Sequence, residues 1–156
     1  MYTSHSFSQL MILKRNFLIR LLNHSLLNMS LSIALKKYIK SDLPNLMTIE
    51  RHYQTFKLPR QLPELIQNAA KGIDPDGLMN NHQHRVGYVT CTEGAGELAK
   101  HEIEIKNAKT FEEIFEITER VKDKIFGLGY LWSYDTALRI GFAKGVYPKD
   151  IYIQTE

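Results

Sequence analysis

Residues 110 to 144 read TFEEIFEITERVKDKIFGLGYLWSYDTALRIGFAK, and the spacing of their apolar residues predicts two amphipathic helices joined by a tight Gly127-Leu128-Gly129 turn. Thr110 and Glu113 stand three apart at the head of the pattern, where each side chain can satisfy the other's free backbone amide. The first helix is therefore expected to begin at Thr110. Its inward stripe is Phe111, Ile114, Phe115, Thr118, Val121 and Ile125, with Glu112, Glu116, Glu119, Lys122 and Asp123 facing water. Gly127 is expected to end it, because glycine turns left-handed at a helix C-terminus without steric cost. After Gly129 a second stripe of Leu131, Tyr134, Leu138 and Phe142 runs to about Lys144, and Leu128 is the expected plug between the helices.

A glycine-apolar-glycine bend carries a mechanism. Without side chains in the way, backbone amides at the start of the second helix can approach an anion, and the helix dipole favours negative charge there. A nucleic-acid phosphate fits such a place, and contacts of this kind position a backbone without reading bases. The alternative is a plain helical hairpin whose glycines only permit close packing.

Phe126-Gly127-Leu128-Gly129 followed by a helix resembles the helix-hairpin-helix family of DNA repair and recombination proteins. The longer run Gly127-Leu128-Gly129-Tyr130-Leu131-Trp132-Ser133-Tyr134-Asp135-Thr136-Ala137-Leu138-Arg139-Ile140-Gly141 resembles the Gly-x-Gly-x-Leu-x-x-Tyr-Asp-Thr-Ala-x-Arg-Ile-Gly signature of a group of bacterial proteins with no assigned activity. His82-Gln83-His84-Arg85 resembles an upstream motif of the same group. The resemblance brings no established activity with it, and the functional reading is a non-enzymatic protein that docks on nucleic acid or on another protein. Leu131 stands where DNA-binding hairpins often carry a basic residue, and Trp132 where a small or hydroxyl residue is usual. Glycosylases built on such hairpins place a catalytic aspartate about 20 residues further on, near the position of Asp150, and need a pocket for the flipped base. Leu131 occupies the position of their lysine nucleophile and cannot do that chemistry. A divergent glycosylase is therefore the remote alternative.

Upstream, the signals are mixed. Residues 8 to 23 place Leu10, Leu13, Phe17, Leu18, Leu21 and Leu22 at helical spacing, with Lys14, Arg15 and Arg20 mostly off that face. Such a basic amphipathic helix suits a membrane surface, a targeting peptide, a partner or the domain's own core. A start of translation at Met29 would remove it. Leu31 to Ile39 reads as helix, and Ser41-Asp42-Leu43-Pro44 as its stop. Asn45 to Phe56 reads as a short helix or extended segment. Pro63 opens a helix that closes before Gly72. Ile73 to His84 reads as a loop, on Asp74-Pro75-Asp76-Gly77 and Asn80-Asn81. Val86 to Thr92 has some β character, ended by Gly94-Ala95-Gly96.

At 156 residues, 44% hydrophobic and 24% charged, the chain has the make-up of one folded domain with a tail. The charge is unevenly placed. Residues 1 to 41 hold six basic residues and no acid, whereas residues 42 to 156 hold 14 basic and 17 acidic. A slightly acidic domain is a poor electrostatic match for polyphosphate. No apolar run is long enough for a membrane span, since polar residues from Asn23 to Ser32 interrupt the greasiest stretch. With Cys91 the single cysteine, nothing demands an oxidising compartment, and a cytoplasmic location is the default.

His82, His84, Cys91 and His101 have zinc-ligand chemistry but match no standard spacing. No phosphate-binding loop, nucleophile elbow or metalloprotease helix motif occurs. Tyr130, Trp132 and Tyr134 cannot all face inward, so Tyr130 or Trp132 is expected at the surface.

The expected architecture is mainly α: an extension over 1 to 29, then a small helical domain over 30 to 156 that contains the hairpin. The expected nucleic-acid contacts are Lys122, Lys124, Gly127, Leu128, Gly129 and Tyr130. Further contacts to an anion or partner are expected from His82, His84, Arg85 and Trp132. No catalytic residue, metal or cofactor is assigned. The partner is a DNA or RNA backbone, or else a protein or a second copy of the chain, with no integral membrane association.

Overall fold

The structure is a computed structural model that describes residues 36, 37, 39, 40 and 43–149, without the side chains of Asn81 and His82. The expected helix over 8 to 23 and most of that over 31 to 39 lie outside these residues. The chain divides into two compact units, Met1–Leu46 and Met47–Glu156. In the first, Lys36, Lys37, Ile39 and Lys40 are helical. The second unit is a small, mainly helical domain.

The helices are α1 (Leu43–Tyr53), α2 (Leu62–Lys71), α3 (Asn81–Val86), α4 (Tyr88–Ala99), α5 (Glu102–Asn107), α6 (Phe111–Lys122) and α7 (Tyr130–Lys144). Helix α7 packs against α6 and α2, and α4 packs against α2 and α6. Between them lie Leu65, Ile66, Ala69, Cys91, Ala95, Leu98, Phe111, Ile114, Trp132 and Ile140, all buried.

Several boundaries follow directly from the sequence. Thr110 Oγ1 accepts from the Glu113 amide while the Glu113 carboxylate accepts from the Thr110 amide, which is the expected reciprocal cap of α6. Pro63 sits in the first turn of α2, where its missing N–H costs nothing. Gly72, at φ +67°, closes α2 with its amide on Ala69 O and the Ile73 amide on Asn68 O.

Other expectations are corrected. Of the expected stop, Ser41 and Asp42 lie outside the described residues, while Leu43 and Pro44 belong to α1, where proline is tolerated in a first turn. The loop expected over Ile73 to His84 holds only as far as Asn80, after which α3 begins. Its Gln83 is buried over Gly72, so packing overrides the weak helix propensity of Asn81. The segment Val86 to Thr92 forms no strand. From Tyr88 it belongs to α4, which runs on through Gly94 and Gly96 because Cys91, Ala95 and Leu98 fall on one buried face at helical spacing.

The hairpin itself is looser than expected. Helix α6 ends at Lys122, and the connection to α7 spans Asp123 to Gly129 rather than three residues. On α6, Ile117 is buried while Phe115 is half-buried, as is Ile125 in the connection. On α7, Phe142 is buried as expected, Leu131, Tyr134 and Leu138 are only half-buried, and the rest of the buried face is Trp132, Ser133, Thr136, Ala137, Arg139, Ile140 and Gly141. Packing on both α6 and α2 gives α7 two buried sides, so a single stripe underestimates its core.

Candidate nucleic-acid and partner interface

Two helices begin at the same end of the domain. Helix α4 starts after Gly87 (φ +96°) and α7 after Gly129 (φ −112°, ψ 173°); neither glycine can supply a side-chain cap. Neither helix carries an acid in its first turn, whereas α6 has Glu112 and Glu113 there. The opening amides of an α-helix have no acceptor one turn back, so each of these ends presents partial positive charge, although in α7 the Trp132 amide already donates to Gly129 O.

The two starts are brought together by the connection. A Cβ built on Gly127 would lie 3.4 Å from Thr90 Cγ2 in the first turn of α4. Gly127 holds φ +95°, a conformation that favours glycine. Leu128 is half-buried and reaches α4, where its Cδ1 lies 3.0 Å from a Cβ built on Gly94, rather than standing only between the two hairpin helices. Gly127 and Gly129 are exposed. The Leu128 amide donates to Ile125 O, and the amides of Trp132 and Ser133 donate to Gly129 O.

Apolar side chains surround this end. Phe126 is fully exposed, Tyr88 and Val89 stand mostly in solvent, and Tyr130 is 37% exposed with its ring edge-on to Phe115. His84 and Arg85 are exposed on α3, immediately before Gly87. His82 lies on the same helix, and its side chain is outside what is described.

The lysines are not free. Lys122 Nζ lies 3.0 Å from Glu119 and 3.2 Å from Asp123, and the hydrogen bond it donates to Glu119 does most to hold its ammonium protonated above the ordinary lysine range. Lys124 Nζ lies 2.8 Å from Glu97. Hydrogen bonds from Lys100 and then Lys124 bring the Glu97 carboxyl down to about 2. A phosphate approaching either Lys122 or Lys124 meets carboxylates already in place.

Trp132 is a packing residue, 1% exposed, with its Nε1 donating to Ala70 O at 2.8 Å. It offers no surface to a partner, and Tyr130 is the aromatic that reaches solvent. The small Gly94 is what admits the indole, since a Cβ there would fall 2.8 Å from Trp132 Cζ2.

The sequence reading missed a buried polar cluster at the C-terminus of α2. Arg139 is 5% exposed; its Nη1 donates to Ala69 O and its Nη2 to Gln83 Oε1, each at 3.3 Å, with Asp135 Oδ2 at 3.7 Å. Tyr53 Oη donates to Asn68 O and Ile73 O at 3.0 and 2.8 Å, and burial pushes its phenol up to about 12. With Trp132 on Ala70 O, donors from α1 and α7 thus meet three successive carbonyls, and the Arg139 charge lies at the negative end of the helix. Sequence offered one clue: Trp132, Thr136, Arg139 and Ile140 share a helical face, which puts an arginine on a buried stripe.

The chain matches no family model, no curated protein and no solved structure. Among the described residues no three His, Cys, Asp or Glu side chains come together as a metal site. Cys91 is buried and His101 pairs with Glu104. No helix of the described residues is long and apolar enough to cross a membrane.

Proposed function

We propose that this is a non-enzymatic docking protein that binds a nucleic-acid phosphate backbone, without regard to sequence, where α4 and α7 begin. The observation that carries this reading is the approach of two glycine-started, acid-free helix N-termini across Gly127 and Thr90. Amides at such ends attract anions, and glycine lets a phosphate oxygen come close. His84 and Arg85 add cationic side chains just before α4. Lys122 and Lys124 contribute little net charge, because each already faces a carboxylate. Binding is therefore weak and releases few counterions, and the logarithmic salt slope for mixed-sequence DNA is on the order of −1 to −3. Affinity that does not change with salt, or no affinity at low salt, rejects this reading.

A second reading rests on a different observation. Tyr88, Val89, Phe126 and Tyr130 present large apolar side chains to solvent. Such residues suit burial against a protein partner or a second copy. Salt-insensitive self-association lost on Phe126→Ser supports it. Asp150, the residue on which the glycosylase alternative rests, lies outside the described residues.

A further inference from the structure

We draw no further inference here: the strongest candidate, the exposed apolar patch of Tyr88 and Val89 at the start of α4, adjoins the hairpin end already described, and nothing in the structure shows what covers it.

Discussion

Arg139 Nη2 lies 3.3 Å from Gln83 Oε1, so the upstream His82-Gln83-His84-Arg85 segment and the Tyr134-to-Gly141 run meet inside the protein. The contact is part of a structural hub: the same guanidinium donates to Ala69 O at the end of α2. Removing it takes the donor from buried Gln83 Oε1 and leaves Ala69 O with the Gly72 amide alone. Arg139→Leu should lower stability by about 2 to 3 kcal/mol, and Arg139→Lys should restore little of it, because an ammonium cannot span both acceptors as the planar guanidinium does. Urea unfolding measures both. A loss within the scatter of surface substitutions would remove the hub from the account.

The two glycines inside α4 should respond in opposite directions. A Cβ on Gly94 would meet the Trp132 ring at 2.8 Å and Leu128 at 3.0 Å, whereas one on Gly96 meets nothing within 4 Å. Gly94→Ala is expected to destabilise by about 1 to 3 kcal/mol through overpacking. Gly96→Ala is expected to stabilise by about 0.5 to 1 kcal/mol, since alanine loses less backbone freedom in a helix. Paired thermal melts check the signs.

How much of this was legible beforehand depends on where local rules decide. The α6 cap was readable because Thr110 and Glu113 satisfy one another within four residues. The close of α2 at Gly72 was readable for the same reason. Helix α4 was not, because Gly94 and Gly96 look like breakers until the Trp132 indole, 38 positions further on, shows why one of them is small. In the site, the glycine bend was legible from composition and spacing, whereas that Tyr130 and not Trp132 reaches solvent was left open. The pairing of Lys124 with Glu97, 27 residues apart, and the burial of Gln83 and Arg139 depend on tertiary contacts that no local pattern encodes.

The α6 cap gives a third test. Thr110→Ala removes the acceptor for the Glu113 amide and should cost about 1 kcal/mol. Denaturant midpoints should fall with no change in slope, as the unfolded surface is unaltered.

Acid sensitivity follows from Glu97. Its carboxyl is lowered from the ordinary 4.5 to about 2, first by its hydrogen bond from Lys100 and then by that from Lys124. The unfolded chain takes up this proton first as pH falls, so the contribution is complete above 4.5 and fades as pH drops toward 2. Glu97→Gln should flatten the acid limb of the stability curve in that window and leave the slope above it unchanged. An equal acid limb in both proteins would show that other carboxylates govern the transition.

Gly129 provides the most direct measurement of the anion-docking claim. Its extended φ and ψ accept any residue, and a Cβ there meets nothing within 4 Å, whereas Gly127 at φ +95° would be strained by substitution. Gly129→Asp places a good N-cap at α7 and puts a carboxylate where the phosphate is proposed to bind. Fluorescence anisotropy with a labelled mixed-sequence DNA strand, run beside urea unfolding of the same preparation, reads the two effects separately. The account predicts equal or higher stability with affinity reduced by about tenfold or more. Undiminished DNA affinity in the stabilised variant would contradict it.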